Sequence, residues 1–256
     1  MTSTASSEER VPLPRVQLWL VIVFGALWGV FRLAYGEITD DAMITFTYAR
    51  NLAEGIGFVF NSGEWVYGST VPLFGAFVTI GVILGADPWD WVLGWDIVWG
   101  AGIMFRMLQI LHHAGYTRWF WVAGAGLVIA SPITLPVAGM ETGVYFFMII
   151  SALSVLCRRG SASEAMMWGT IAAMIRPDGV VILGVVGYFA LVPLLKEHEW
   201  KKLIASCWPL LLAALYLGIL HRMYGTIVPN SMVAKGFSNK SAEFSSHFWF
   251  FTLKSF

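Results

Sequence analysis

Residues 179–195 read GVVILGVVGYFALVPLL, seventeen residues without a charged side chain. This pattern is typical of a helix that crosses a membrane, because the apolar core of a bilayer takes about 20 apolar residues per helix. Comparable runs recur at 16–35, 91–111, 118–137, 141–157, 163–176 and 201–221. The sequence therefore predicts an all-α fold, a polytopic transmembrane helical bundle of about seven spans.

The composition of the whole chain supports the same class. Of its 256 residues, 57% are apolar and only 12% are charged, whereas a soluble domain carries about a quarter of its residues as charge. This excludes a disordered chain and a protein that wraps nucleic acid. The net charge of zero, from 16 basic and 16 acidic residues, indicates neither an acidic nor a basic partner, so the placement of the charges matters more than their sum.

One further apolar segment, residues 71–85, decides the sidedness of the rest. It has fifteen residues, which is short for a span, so an interfacial or re-entrant segment is an open alternative to a crossing. If it does not cross and the N-terminus is cytoplasmic, the short outer loops hold Arg176 alone, and the inner loops hold Arg106, Arg118, Arg158, Arg159, Lys196, Lys201 and Lys202. The positive-inside rule favours this arrangement.

The resulting domain prediction has three parts. Residues 1–15 form a cytoplasmic tail, and residues 16–222 form the transmembrane module, with the first external loop at 36–70. Residues 223–256 begin another external loop, in which the chain stops, as a truncated chain would. We expect an integral, multi-pass protein of a bacterial plasma membrane with its N-terminus in the cytoplasm.

An acid pair opens the predicted helix of the first external loop. Thr39 can cap a helix that begins with Asp40 and Asp41 and ends near Glu54, where the glycines of 55–57 follow. Its apolar residues form one stripe, as expected of an amphipathic helix that rests on the membrane surface: Ala42, Met43, Phe46, Ala49 and Ala53. The acids either complement the helix dipole, or serve as a general base and its supporting acid or cation ligand.

Three more polar segments fall on the same predicted side of the membrane. They are 139–142 with Glu141, 176–179 with Arg176 and Asp178, and 224–235 with Asn230 and Lys235. Each alone is better explained by a turn, a helix cap or a local ion pair than by a site. Their joint placement beside the acid pair predicts a shared pocket, which turn formation does not require. Among the aromatic residues, Trp65 and Tyr67 are the candidates for a sugar platform.

Residues 38–70, ITDDAMITFTYARNLAEGIGFVFNSGEWVYGST, carry a family resemblance. They resemble the first external loop of GT-C class glycosyltransferases, especially bacterial members related to the mycobacterial terminal arabinofuranosyltransferases. In these proteins an acid pair, an Arg-Asn helix and a VFN-GE-V stretch follow one another. GMET, RPDG and YGTIVPNSMVAK resemble later elements, so the resemblance spans about 19–235. It implies seven spans with interfacial helices in the first external loop.

The resemblance also implies a function. A sugar would pass from a polyprenyl-phosphate carrier to a hydroxyl of a glycan, lipid or protein acceptor on the outer face of the membrane, with inversion at the anomeric carbon. By similarity Asp40 is the general base, and Asp41 supports it by positioning the acceptor or a divalent cation. The candidate substrate-binding residues are Arg50, Asn51, Asn61, Glu64, Tyr67, Glu141, Arg176, Asp178, Asn230 and Lys235. Of these, Arg176 and Lys235 are candidates to hold the phosphate. Arg50 is a third, and contact with the head groups of membrane lipids is an equal alternative for it.

Two other classes stay open at this point. A transporter or flippase would place ionisable groups near the middle of the membrane and show repeated halves, but the sequence has few such groups and no detectable repeat. Asp96 lies within a predicted span, where it either has a function or only bonds to a neighbouring helix. A non-catalytic subunit of a membrane assembly is the second alternative, because proteins of the resembled class continue well beyond the point where this chain ends.

Overall fold

The computed structural model describes residues 15–35, 39–115 and 139–230. Within these ranges every regular element is a helix and no strand occurs, so the all-α prediction is confirmed there. The helices are α1 (Arg15–Tyr35), α2 (Asp40–Ala53), α3 (Pro72–Ile83), α4 (Pro88–His113), α5 (Thr142–Cys157), α6 (Ala162–Ile175), α7 (Gly179–Lys196), α8 (Trp200–Ser206) and α9 (Pro209–Tyr224).

Among the described residues, two helical segments are long and apolar enough to cross a membrane. They are α7 and the stretch Trp200–Tyr224, which contains α8 and α9, each with a mean hydropathy of 2.1. Only 17% of each is buried inside the protein, and large side chains such as Val181, Phe189 and Leu211 point outward. Such an apolar exterior suits contact with lipid. The pair α3 and α4 would count as a third span if it were one broken helix.

Most predicted spans coincide with helices of the structure. The spans 16–35, 91–111, 141–157, 163–176 and 179–195 correspond to α1, α4, α5, α6 and α7, whereas the span 118–137 lies outside the described residues. The span 201–221 consists of two helices that meet at Pro209, where the missing backbone N–H interrupts the hydrogen-bond ladder. By length and composition, the membrane-crossing helices number two to three in the described ranges.

The segment 71–85 forms the short helix α3. Its 12 residues rise about 18 Å, which is less than the apolar core of about 30 Å. The chain then bends by 114° into α4. Gly85 allows the bend with a φ of 84°, and Asp87 caps the new helix by accepting a hydrogen bond from the backbone N–H of Trp89 at 2.9 Å.

Side-chain contacts give the relative directions of the helices. Helix α1 runs antiparallel to α4, because Gly25 lies opposite Ala101 and Gly29 lies opposite Ile97. Helix α5 runs parallel to α4, because Gly143 lies near Asp96 at one end and Ser154 bonds to Gln109 towards the other end. If the predicted span 118–137 crosses the membrane between α4 and α5 in the sequence, these two helices must run in the same direction, as they do. Helices α6 and α7 pack antiparallel, since Gly179 contacts Ala172 and Gly187 lies near Met166.

The main core joins α2, α3, α4, α5 and α6. The apolar side of α2 contributes Ala42, Phe46 and Ala49 to this core, where they are buried with residues such as Phe74 and Val144. The predicted apolar stripe of α2 therefore packs against protein, apart from Met43, which is 45% exposed. The amphipathic pattern predicted the helix and its apolar side, but the surface against which that side packs is the rest of the bundle.

Candidate functional site

The acid pair lies at the start of α2, as the sequence predicts. Thr39 is the cap, and its side-chain oxygen accepts a hydrogen bond from the backbone N–H of Ala42 at 3.3 Å. The carboxylates of Asp40 and Asp41 are both exposed. They sit in the first turn, where the helix dipole favours negative charge. The cap thus fixes the backbone of both acids and leaves their carboxylates accessible.

The segment 139–142 packs directly against this helix start. Gly139 has a φ of 82°, a left-handed conformation that favours glycine. A Cβ atom at Gly139 would lie 3.3 Å from the Cβ of Ala42 and would meet the Trp89 ring at 2.9 Å. The backbone at Gly139 therefore approaches the first turn of α2 closely, and Glu141 lies two residues further on.

An ion-pair network connects Glu141 to the segment 176–179. The Nη1 atom of Arg176 donates to Oε1 of Glu141 at 2.8 Å, and its Nε atom donates to Oδ1 of Asp178 at 2.9 Å. The side chain of Glu141 is only 4% exposed, whereas that of Asp178 is 57% exposed. The Arg176 guanidinium also lies 5.3 Å from the ring centre of Tyr145. One arginine thus holds together two turns that the sequence predicts on the same side of the membrane.

Burial dominates the acid–base properties of this network. Burial raises the pKa of Glu141 above its ordinary value, and the charge and hydrogen bond of Arg176 offset this only in part. Burial would lower the pKa of Arg176, but its hydrogen bond to Asp178 and the charge of Glu141 outweigh that and raise it. Arg176 is therefore charged at neutral pH. It stabilises the charged form of Glu141, which burial disfavours.

Residues 224–230, the described part of the last polar segment, contact the far end of the first external loop. The hydroxyl of Tyr224 donates to the backbone carbonyl of Phe58 at 2.5 Å, and the backbone N–H of Asn230 donates to the carbonyl of Tyr67 at 2.8 Å. The rings of Tyr67 and Tyr224 stack with centres 5.0 Å apart and planes 7° apart. Burial raises the pKa of Tyr67 to about 12. The loop is thus joined to the end of α9.

Contacts connect three of the four polar segments, and the fourth contacts the loop that follows α2. Ala42 packs near Gly139, Arg176 pairs with Glu141, and Tyr224 bonds to Phe58. The acid pair and the segments 139–142 and 176–179 thus form one contiguous group, whereas Tyr224 contacts the loop beyond the other end of α2. Of the candidate site residues, the structure brings Glu141, Arg176 and Asp178 into one ion-pair network, and it pairs Asn61 with Glu64 and Asn230 with Tyr67.

Several candidates within the first external loop bond to the loop itself. The side-chain amide of Asn51 donates to the carbonyls of Val59 and Phe60 at 2.8 Å and 3.0 Å. The amide of Asn61 donates to Glu64 at 3.0 Å across a turn. Asn51 thus fixes the loop backbone against α2, and the Asn61–Glu64 pair is exposed at the loop tip.

Three other candidates within the described residues differ in their exposure to solvent. Arg50 forms an exposed ion pair with Asp87 at 3.4 Å, so its charge stays accessible to solvent. Tyr67 is 4% exposed and its ring is covered by Tyr224, so it offers no open face to a sugar. Trp65, the other aromatic candidate, is 53% exposed. Lys235 lies outside the described residues.

Two residues near the site were not among the sequence candidates. Tyr145 follows Glu141 by four residues, a spacing that places both on one side of a helix, and this spacing is the signal that would have found it. Asp96 was noted only as an intramembrane acid. It is 1% exposed, and a Cβ atom at Gly143 would lie 2.6 Å from its Oδ1, so it lies close to the start of α5.

The acid pair was also a candidate for binding a divalent cation. Across residues 15–35, 39–115 and 139–230, no group of three or more His, Cys, Asp or Glu side chains is placed to hold a metal ion. The two exposed carboxylates of Asp40 and Asp41 are the protein groups that such an ion would find at this helix start.

Comparison with family models, with curated proteins and with solved structures gave no match for this chain.

Proposed function

We propose that the chain is a membrane glycosyltransferase, or the catalytic part of one, that uses a polyprenyl-phosphate sugar. The acceptor is a hydroxyl of a cell-envelope glycan, lipid or protein on the outer face of a bacterial plasma membrane. The proposal starts from the resemblance of residues 38–70 to the GT-C class. The observation that carries it is the contact of the first turn of α2 with segment 139–142, which the Arg176–Glu141 ion pair joins to segment 176–179.

Asp40 acts as the general base in this proposal. Its carboxylate takes the proton from the acceptor hydroxyl while that oxygen forms a bond to the anomeric carbon of the sugar. The bond between the anomeric carbon and the phosphate oxygen breaks, and its electron pair leaves with the polyprenyl phosphate. A single displacement inverts the anomeric configuration. Asp41, adjacent in the same helical turn, positions the acceptor or a divalent cation.

Arg176 is the proposed contact for the donor phosphate. Its bond to the buried Glu141 fixes the guanidinium, while its other carboxylate partner, Asp178, is largely exposed. A phosphate oxygen that displaces Asp178 would keep the Nε donor of Arg176 satisfied and place two anionic oxygens on one guanidinium, a geometry that arginine favours. Arg50 and Lys235 are the further cations proposed for the phosphate.

The proposed topology has seven spans, interfacial helices in the first external loop and a cytoplasmic N-terminus. The antiparallel packing of α1 on α4 and of α6 on α7 supports alternating directions through the membrane. Arg106 and Arg158 lie at the end of the bundle away from Glu141, in agreement with the positive-inside rule.

Membranes that contain the full chain provide the test. They are incubated with a panel of synthetic polyprenyl-phosphate pentoses and hexoses, and released polyprenyl phosphate and glycosylated acceptor are quantified against membranes without the chain. We expect transfer from at least one donor, with the product anomer inverted in its NMR spectrum. Absence of transfer from every donor, or retention of configuration, would contradict the proposal.

A transporter or flippase is the second candidate function, favoured by Asp96. This carboxyl group is buried in α4 against the start of α5, and ionisable groups within membrane helices are commonly part of ion or substrate pathways. In proteoliposomes, a transporter would move a fluorescent lipid-linked sugar between leaflets, and Asp96→Asn would abolish the movement while Asp90→Asn, at an exposed position of the same helix, would not.

A further inference from the structure

A second polar cluster lies at the end of the bundle opposite to the acid pair. The Nη1 atom of Arg106 and the hydroxyl of Ser154 both donate to Oε1 of Gln109 at 3.1 Å. The Nε atom of Arg158 donates to the backbone carbonyl of Ser154 at 3.2 Å. Helices α4 and α5 therefore bring two arginines towards a shared pair of polar residues. We name this group of Arg106, Gln109, Ser154 and Arg158 the arginine cluster.

The arginine cluster carries an excess of positive charge. Arg106 and Arg158 both bond to the Gln109–Ser154 pair, so two like charges are held at one site, where they repel each other. The carboxylate nearest to Arg158 is that of Glu164 on α6, at 3.9 Å and 38% exposed. The cluster thus has two arginines and one carboxylate. The Arg158–Glu164 distance is the longest of the ion-pair distances in the described residues. An anion at this position would relieve the repulsion.

The cluster also offers donors in a fixed arrangement. Ser154 is fully buried, so its hydroxyl and carbonyl hold Gln109 and Arg158 in place. The Arg106 guanidinium rests 5.4 Å from the ring centre of Trp168, which limits its movement. Within the described part of the chain, the buried indole N–H of Trp168 has no hydrogen-bond partner. A phosphate group is the anion whose oxygens best match two guanidinium forks.

Two exposed apolar side chains are connected to the cluster through their neighbours in the chain. Leu153, on the turn of α5 before Ser154, is 39% exposed, and Trp208 is 45% exposed and bonded to Ser163 at the start of α6. Basic pockets between membrane helices are typical sites for anionic lipid head groups. The adjacent apolar side chains distinguish a lipid from a free anion, because they can contact the acyl chains of the lipid.

We propose that the arginine cluster binds the phosphate of an anionic phospholipid in the leaflet opposite to the candidate active site. The inference is independent of the proposed glycosyltransferase activity. Arg106 and Arg158 bind the phosphate oxygens, and Leu153 and Trp208 contact the acyl chains. Glu164 weakens the site electrostatically, since it shares Arg158 with the lipid.

The test uses the full chain in detergent and native mass spectrometry with added phosphatidylglycerol, phosphatidylcholine or inorganic phosphate. We expect phosphatidylglycerol to bind more tightly than the other two. Arg106→Gln and Arg158→Gln should each weaken its binding about fivefold, in line with the contribution of one basic residue near an anionic lipid. Lys201→Gln, an exposed cation near the same end of the bundle, is the matched control and should leave binding unchanged.

Glu164→Gln provides a readout that does not depend on removing an arginine. It should tighten phosphatidylglycerol binding, because the competing carboxylate is lost while both guanidinium groups remain. Equal binding of phosphatidylglycerol and phosphatidylcholine, equal losses in Lys201→Gln and Arg158→Gln, or weaker binding in Glu164→Gln would each overturn the proposal. Inorganic phosphate that binds as tightly as the lipid would overturn the lipid as the occupant.

Discussion

The guanidinium of Arg176 lies 2.8 Å from the carboxylate of Glu141, and this contact joins two turns that are 35 residues apart in the chain. Glu141 is almost fully buried, whereas about a third of Arg176 reaches solvent. The pair therefore has an unequal arrangement: the acid depends on the arginine for its charge compensation, while the arginine also bonds to the exposed Asp178. Removal of the arginine is expected to cost more than removal of the acid.

Arg176→Met should destabilise the protein because it leaves the buried Glu141 without its cation. We expect a loss of about 2 kcal/mol in the free energy of unfolding, less than the roughly 3–5 kcal/mol of a fully buried pair, since solvent screens Arg176. Unfolding in detergent micelles measures this loss, with Arg222→Met, at an exposed position of α9, as the control. The double variant Glu141→Gln/Arg176→Met should regain part of the stability. Equal losses in Arg176→Met and Arg222→Met would contradict the proposed dependence of Glu141.

The raised pKa of Glu141 predicts a specific pH dependence of stability. The folded protein binds this proton more tightly than the unfolded chain, so the contribution is fully present below the ordinary glutamate pKa of 4.5 and is lost as the pH rises through the folded value. Thermal unfolding of the wild type and Glu141→Gln between about pH 4 and about pH 8 measures it. The stability of the wild type relative to the variant should fall with rising pH, and parallel curves would contradict the raised pKa.

The contact between α6 and α7 depends on a glycine at the start of α7. A Cβ atom at Gly179 would collide with the backbone carbonyl group of Ala172, which cannot rotate away. Gly179→Ala should therefore lower the free energy of unfolding by about 1–3 kcal/mol, the usual cost of overpacking. Gly184→Ala is the matched control on the same helix, because a Cβ atom there meets nothing within 4 Å. If both variants unfolded alike, the close packing at Gly179 would be wrong.

Chemical labelling tests the sidedness of the two ends. Single cysteines at Ser62 and Ser161, both exposed, are introduced after Cys157 and Cys207 are replaced by serine. In intact cells, a membrane-impermeant maleimide should label Ser62→Cys, and it should reach Ser161→Cys only after the membrane is permeabilised. Labelling of both positions from the same side would contradict the topology and, with it, the separation of the acid pair from the arginine cluster.

The apolar runs of the sequence predict the described helices well, because a helix of this composition is determined by residues close together in the chain. Pro209 and the turn at 84–87 show where this reasoning stops. Pro209 separates two helices whereas Pro193 lies inside α7, and the chain bends by 114° between α3 and α4 at a turn in which Gly85 has a φ of 84°. Periodicity gives no angle between successive helices.

The candidate site could be predicted only in part, because some of its contacts join residues far apart in the chain. Glu141, Arg176 and Asp178 could be grouped because they fall on the same predicted side of the membrane, and the structure brings them into contact. The sequence could not show that Tyr67 is buried under Tyr224, because the two residues are far apart in the chain and meet only after the helices pack. Nor could it show that the apolar side of α2 faces protein, since an amphipathic pattern is the same for a protein and a lipid neighbour.

The central claim is that Asp40 is the general base of a sugar transfer, and the rate of transfer by Asp40→Asn tests it most directly. The measurement compares release of polyprenyl phosphate by membranes with the wild type, Asp40→Asn and Glu54→Gln, an exposed acid at the other end of α2. The account predicts a loss of about 10²- to 10⁴-fold in Asp40→Asn and a rate near that of the wild type in Glu54→Gln. Unchanged transfer by Asp40→Asn, at equal protein levels, would contradict it.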